Sequence, residues 1–428
     1  MTAQILERHG IADTTAGAFG LARCDLVLLN EVSGVLALKA LREMGAERVF
    51  DPSRIAIVCD HFVPAKDAVS ADLAATMRRF ASEQGIEHFW EVGATRDAGI
   101  EHTLLPEQGL VAPGDFIPGG DSHTCTYGAF GAFGTGMGST DMAAALALGE
   151  VWVKVPATER VEFAGEPGPY CTGKDLILAY IGQVGVAGAT YRALEFHGDA
   201  VRSLGVDGRM ALCNMAVEAG AKTGLVEADA TTLEWLAEHV QGAAPAGIAP
   251  SDAAVYEHHT TVDVDGMGPL LAQPHSPQNV IAVDDAPIGT HVDQVYVGNC
   301  ANGTITDLRQ LVEVLRGQRV ASGTRLIVVP ATQRIYRQAI AEGLIDAILD
   351  AGGMISPPTC GACFGGHMGI IGAGETAIAT TNRNFRGRMG HRDSRVFLAN
   401  AYVAGAAAVA GEIVAPRGLG AAADGGIP

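Results

Sequence analysis

Cys360 and Cys363 have two residues between them, and no other pair among the eight cysteines is as close. Their flanks, Gly352-Gly353-Met354-Ile355-Ser356-Pro357-Pro358 before and Phe364-Gly365-Gly366-His367 after, are loop chemistry, so both sulfurs could face one metal. A structural zinc site needs a second short-spaced pair of Cys or His, and the remaining cysteines are single. A redox pair normally opens a helix, which these prolines and glycines oppose. Cys300, in the turn Gly298-Asn299-Cys300-Ala301-Asn302-Gly303, is the best third thiolate, because it follows a strand-like run in the same segment. Three thiolates suit a [4Fe–4S] cluster with one iron left without a protein ligand, and such an iron is a Lewis acid. Spacing alone leaves a second reading open, a Cys-x-x-Cys loop without metal.

Asp60-His61 and Asp121-Ser122-His123 each pair a carboxylate with an imidazole. A carboxylate orients a histidine and raises its proton affinity, which suits acid–base catalysis, although a lone His is more often a structural hydrogen-bonder. Ser122 is no hydrolase nucleophile, because the G-x-S-x-G elbow is missing. The run Asn382-Arg383-Asn384-Phe385-Arg386-Gly387-Arg388 reads either as a solvated basic loop or as a clamp for carboxylates. The glycines from Gly128 to Gly138 fit neither G-x-G-x-x-G nor a P-loop, and read as tight packing before a helix opened by Ser139-Thr140-Asp141.

Short β-branched runs alternating with amphipathic stretches must position these groups, which is the pattern of parallel α/β domains. Ile55 to Val58 and Arg325 to Val329 read as strands; Ala71 to Gln84, Asp141 to Val153 and Thr332 to Leu349 read as helices. Polar residues gather just after the strands: Asp60-His61, Asn299-Cys300 and Asn382-Arg383, with Asp121 following a Pro118-Gly119-Gly120 turn. In open α/β sheets that is where ligands bind. Seams near Val155-Pro156, at Gly242 to Ser251 and at Pro269 to Pro277 divide the chain into about 1–155, 156–275 and 276–428.

Composition excludes some classes. With 48% hydrophobic and 18% charged residues, the 428-residue chain buries large cores and is not disordered. A net charge of −19 argues against nucleic acid or an anionic membrane as partner. No signal-peptide pattern opens the chain and no run reaches the ~18–20 apolar residues of a membrane span, so a cytoplasmic location is expected.

Taken together, these blocks resemble the aconitase superfamily of iron–sulfur hydro-lyases. They are most similar to the large subunits of the two-subunit isopropylmalate dehydratase and homoaconitase group. The resemblance rests on Asp60-His61-Phe62-Val63-Pro64-Ala65-Lys66-Asp67, Gly120-Asp121-Ser122-His123-Thr124, Asp141, Cys213-Asn214-Met215-Ala216-Val217-Glu218, Cys300, Cys360 to Gly369 and Thr381 to Arg388, and spans residues from about 5 to 415. It implies three α/β domains around a [4Fe–4S] cluster held by Cys300, Cys360 and Cys363. By the same resemblance Asp60-His61 handles the proton of the leaving hydroxyl, and His123 with Asp141 sits near the iron-bound water. Asn214, Glu218 and Asn302 support the cluster site, while Asn30, Ser33, Asn382, Arg383 and Arg388 bind substrate or cluster.

Some positions depart from the family's pattern. Asn30-Glu31-Val32-Ser33 stands where His-Glu or His-Asp before a Thr is usual, and Asn cannot carry a proton. Asn299-Cys300-Ala301 replaces Ser-Cys-Thr, and Ala362 a common Pro. The swivelling fourth domain, with its Gly-Ser-Ser-Arg motif, has no counterpart here; Ser394-Arg395 is a partial echo. A separate small subunit carrying that domain is therefore expected, in a heterodimer or heterotetramer. The expected substrate is a small hydroxy di- or tricarboxylic acid, first 3-isopropylmalate, with homocitrate, 2,3-dimethylmalate and other malate derivatives as alternatives. A non-enzymatic iron- or redox-sensing protein is the competing class, and it would need none of the acid–base residues.

Overall fold

A computed structural model describes residues 1–239, 246–287 and 289–417. Three sheets organise it, with an antiparallel ribbon of Phe19–Arg23 and Glu150–Lys154 beside the first. The first sheet has five parallel strands in the order His88–Glu91, Ile55–Cys59, Val27–Asn30, Phe116–Gly119, Phe133–Gly136. The central three strands, Ile55–Cys59, Val27–Asn30 and Phe116–Gly119, are buried throughout. Such apolar runs need covering on both faces, as parallel sheets do. The second sheet is parallel, Thr223–Leu225, Arg192–His197, Ala157–Ala164, His258–Asp263. The third has seven strands: Val280–Ala282, Leu270–Ala272, Arg395–Leu398, Thr376–Ala379, Gln294–Val297, Arg325–Val328, Met354–Ile355. Its first three are antiparallel neighbours and the rest are parallel. One core cluster runs through all three sheets, joining Leu28 and Ala56 to Val161 and Leu194 and to Tyr296 and Ala377.

Chain order reverses direction across the first sheet between Val27–Asn30 and Phe116–Gly119, and across the third between Thr376–Ala379 and Gln294–Val297. At such switch points the loops leave to opposite sides and open a crevice beyond the strand ends. Asn30-Glu31 and Asp121 leave the first crevice, and Cys300 and Asn382 leave the second.

Several expected elements have different bounds. The helix expected over Asp141 to Val153 is Ser139–Leu148, stopped by Gly149 at φ 73°; Glu150–Lys154 is a strand, because its alternating burial suits the ribbon. The helix expected from Thr332 to Leu349 is capped by Thr332 but splits into Gln333–Ala341 and Leu344–Asp350 at Gly343, φ 71°. Pro118-Gly119 ends a strand rather than forming a turn. Close packing does account for the glycine run: a Cβ on Gly128 would fall 1.6 Å from the Gly224 carbonyl oxygen.

The division at 155/156 falls between two sheets. Ahead of that at 275/276, Leu270–Ala272 pairs with the third sheet, and the Pro-rich stretch after it links two strands of that sheet. Of the Gly242 to Ser251 seam, residues 242–245 lie outside the described residues. Among the described residues no helix is long and apolar enough to cross a membrane.

Candidate active site

The loops from both switch points enclose a cavity of about 200 Å³. Cys300, Cys360 and Cys363 line it together with Asp60, His61, Asp121 and His123, and Arg383 and Arg388 complete the wall. Residues as distant in sequence as Asp60 and Arg388 thus meet in one space.

Each group is held by identifiable bonds. Glu31, fully buried, accepts the backbone N–H groups of Asp60, His61 and Phe62 at 3.2, 2.7 and 2.6 Å, which fixes the turn after Ile55–Cys59. Burial raises the Glu31 carboxyl above its ordinary range, against the charge of His61. The His61 Nδ1 lies 2.6 Å from Asp60 Oδ1, while the other Asp60 oxygen accepts Glu101 N–H at 2.8 Å. His61 Nε2 is left toward the cavity, 3.8 Å from Asp121. Burial opposes a charge on His61, but the Asp60 charge, the nearby Asp121 carboxylate and the hydrogen bond to Asp60 outweigh it and raise its pKa well above the usual value.

Asp121 is the hub. His102 Nε2 lies 2.8 Å from its Oδ1, which also accepts His123 N–H at 2.7 Å. Against the cost of burial, hydrogen bonds from His102 and His123 and the nearby His61 ring hold the Asp121 carboxyl well below its ordinary range. His123 Nε2 meets Glu218 at 3.0 Å, and Arg383 donates to the same Glu218 oxygen at 2.7 Å and to Ser122 Oγ at 3.1 Å. Two opposed effects act on His123: burial and the Arg383 charge lower its pKa, while Asp121 and Glu218 raise it, and the rise prevails.

The sulfur side is furnished with amides. Asn214 donates to Cys300 Sγ at 3.1 Å and Asn382 at 3.5 Å; Asn382 Oδ1 faces Cys363 Sγ at 3.3 Å. Asn382 also bonds Asn214 and Asn299. The hydrogen bond from Cys360 lowers the Cys363 thiol to about 5, with help from the charges of Arg388 and His123, while Cys360 is raised well above its ordinary value. Fully buried Lys174 fixes the loop below, donating to the Thr380 and Thr381 carbonyls at 3.0 and 2.6 Å. Arg388 donates to the Cys363 carbonyl at 3.0 Å. Three thiols in one wall with N–H donors aimed at sulfur suit an iron–sulfur cluster, whose sulfurs take such bonds.

Not every expected residue reaches this cavity. Asp141 is exposed in the first turn of Ser139–Leu148 and lines a different cavity with Trp152, Lys154, Tyr191 and Lys222. Its helix begins beyond Phe133–Gly136, the edge strand of the first sheet, and so starts away from the crevice; Asp121 and Glu218 serve His123 instead. Asn30 is buried, its Oδ1 accepting from Val32 N, Ser33 N and Ser33 Oγ and its Nδ2 facing Glu101. Asn30 and Ser33 therefore start the helix Ser33–Glu43, and Val32 between them lines the cavity. Asn302 donates to Asp307 at 3.0 Å and secures the helix after the Cys300 loop.

Sequence reasoning passed over Glu31, Glu101, His102 and Lys174. Glu31 follows a strand and was open to the rule that found Asp60. His102 lies in the short helix Glu101–Glu107, and Lys174 acts through a carbonyl contact 206 positions away, for which no local signal exists.

With this geometry, comparison places the chain. The model of the aconitase family (aconitate hydratase) matches residues 3–411, and the chain belongs to that family. Its relatives include the 3-isopropylmalate dehydratase large subunit 2 of Rubrobacter xylanophilus, 53% identical over 415 residues, covering 97% of this chain and 96% of that one. The 3-isopropylmalate dehydratase large subunit of Nitratidesulfovibrio vulgaris is 52% identical over 417 residues, covering 97% and 98%. Large subunit 1 of the Pyrococcus abyssi enzyme is 51% identical, covering 94% of both chains. Among solved structures, aconitase X of Thermococcus kodakaraensis in its holo-form aligns with a TM-score of 0.50 over 90% of both chains at 15% identity, which speaks for the fold alone.

Proposed function

We propose that this chain is the cluster-bearing large subunit of a 3-isopropylmalate dehydratase, which moves a hydroxyl between neighbouring carbons of a malate derivative through an enoic acid. The observation that carries the reading is the single cavity where three cysteines face two acid–base histidines and two arginines. The relatives' names, at about half identity over nearly the whole length, select isopropylmalate over homocitrate or 2,3-dimethylmalate.

Cys300, Cys360 and Cys363 would hold a [4Fe–4S] cluster, whose iron without a protein ligand supplies Lewis acidity toward the hydroxyl that leaves. Every other part belongs to the chain's own residues. Arg383 and Arg388 take substrate carboxylates, Arg383 being preset by Glu218 and Ser122. His61, held protonated by Asp60, delivers its Nε2 proton to the departing oxygen, because hydroxide leaves poorly and water leaves readily. His123, between Asp121 and Glu218, holds or returns a proton on the same side. Glu31 and Glu101 fix the Asp60-His61 turn. Removal of the carbon-bound proton falls to a serine of the small subunit, which also closes the cavity to water and so strengthens each charge contact.

The test is turnover of anaerobically reconstituted chain with its small subunit, offered 3-isopropylmalate, homocitrate and 2,3-dimethylmalate in parallel. A kcat/KM for 3-isopropylmalate at least tenfold above the others is expected. Preference for another acid would replace the substrate, and inactivity toward all three would sink the reading.

A further inference from the structure

Behind the active-site cleft a second cavity of about 300 Å³ opens where the first and third sheets' segments meet. The junction is stitched by backbone: Ile100 N–H donates to Ala331 O at 2.7 Å and Gln333 N–H to Ala98 O at 2.9 Å. Among the described residues none lines both this cavity and the cleft. The helix Glu101–Glu107 separates them, with His102 in the cleft and Glu107 ~7.5 Å further along at 1.5 Å per residue.

Its floor is built from Ala98, Leu104, Glu107 and Thr332, and its rim carries Arg96, Arg334 and Arg337. Glu107 Oε1 accepts from Thr332 Oγ1 at 3.2 Å, whereas Oε2 is buried with no partner among the described residues. Burial pushes the Glu107 carboxyl up to about 7. Arg337 is taken by Asp97 at 2.6 Å. The guanidinium groups of Arg96 and Arg334 have no hydrogen-bond or ion-pair partner among the described residues. In a chain of net charge −19, two guanidiniums without partners among the described residues, facing Ala98, Leu104 and an unpaired carboxyl oxygen, form a local complement to a small acid.

We propose that this cavity binds a small organic acid with a hydroxyl or ammonium group next to its carboxylate. Arg96 and Arg334 take the carboxylate, Glu107 Oε2 takes the neighbouring donor, and the short carbon body rests on Ala98 and Leu104. Guanidinium suits the first contact because it matches a carboxylate with paired N–H donors. Glu107 distinguishes a hydroxy or amino acid from a plain carboxylate, because only the former satisfies an oxygen otherwise left unpaired.

Calorimetric titration of the purified full-length chain with L-valine, L-lactate, propionate and inorganic phosphate tests this. L-Valine or L-lactate is expected to bind saturably and about tenfold or more tighter than propionate, as one charge-assisted hydrogen bond supports. The preferred ligand of the two identifies the neighbouring donor as ammonium or hydroxyl. Arg334→Ala is expected to weaken that ligand by about tenfold or more while the cluster's visible absorption is unchanged. Arg96→Ala, at an exposed rim position, repeats the test without threatening the fold. Glu107→Leu is expected to erase the preference over propionate. Absence of saturable binding by L-valine and L-lactate, phosphate binding as tightly as either, or affinities unmoved in both arginine variants would each overturn the assignment.

Discussion

The first and third sheets furnish opposite walls of one cavity by different means. At the first sheet's edge the side chains are ionisable and in mutual contact: buried Glu31, Asp60 and Glu101 and half-buried Asp121 surround His61, His102 and His123. At the third sheet's edge the sulfurs are held by neutral amides from Asn299 and Asn382, with Asn214 reaching in from the second, and the loop beneath is fixed through carbonyls by Lys174. A proton-handling site needs strong coupling between charges, since that is what moves a pKa. A cluster site needs thiolates and N–H donors that keep their character whatever the pH of the proton step. The two walls should therefore fail separately when mutated.

The largest effect is expected on the sulfur wall. Cys300→Ser, Cys360→Ser or Cys363→Ser should each abolish the broad visible absorption of the reconstituted chain, and turnover with it. Serine at Cys24, Cys59, Cys125, Cys171 or Cys213 should leave the absorption intact, as none of these lines the cavity. A normal spectrum from Cys300→Ser would break the division at its root. Next comes the cover. The chain assayed alone should carry the cluster yet turn over negligibly, and titrating in the small subunit should restore the rate to saturation; full turnover by the chain alone would refute the need for a cover.

On the ionisable wall, His61→Gln should keep the absorption and lose about 10²–10⁴-fold in turnover, the span for a lost general acid or base. Asp60→Asn should lose less, because it removes the orienting carboxylate and leaves the imidazole. It should also change the pH profile. His61 is raised well above its ordinary value, chiefly by the Asp60 charge against burial, so its protonated form persists to higher pH than an unpaired histidine's. The alkaline fall in kcat should therefore lie above the usual histidine range, and Asp60→Asn should shift it toward acid. An unchanged alkaline limb in Asp60→Asn would uncouple the pair.

How far the site could be read beforehand follows the same division. The sulfur wall was legible because Cys360 and Cys363 share one glycine-rich loop and Cys300 and Asn382-Arg383 follow closely on strands, where type and spacing are local facts. Asp60-His61 was legible for the same reason. Asp121 and His123 were legible as a local pair, and Glu31 lay within reach of the same rule; Glu101 and His102 were not, because their bonds to Asp60 and Asp121 cross between elements through a helix whose approach no local pattern sets. Fold class was legible in the alternation of buried strands and helices, but bounds slipped where glycine decided them, at Gly149 and Gly343. A strand as short as Leu270–Ala272 gave too little periodicity to place it in the third sheet.

The smallest expected effect sharpens the comparison most. Family likeness gives His123 the partner Asp141, whereas the folded chain gives it Asp121 at 3.4 Å and Glu218 at 3.0 Å. Asp141 stands exposed beside Lys222 and Tyr191, outside the cavity, where solvent screens its charge. Asp141→Asn should accordingly leave cluster absorption unchanged and turnover within about fivefold, since exposed pairs contribute roughly 0–1 kcal/mol. Glu218→Gln should cost far more, because it strips both His123 and Arg383 of a buried anionic partner, a change of about 3–5 kcal/mol in comparable pairs. Measured side by side with the small subunit present, the two variants separate proximity in family pattern from contact in the folded chain. A loss from Asp141→Asn as large as that from Glu218→Gln would mean that the assembled enzyme brings Asp141 to the reaction, and that the boundary of the ionisable wall lies beyond the first sheet's crevice.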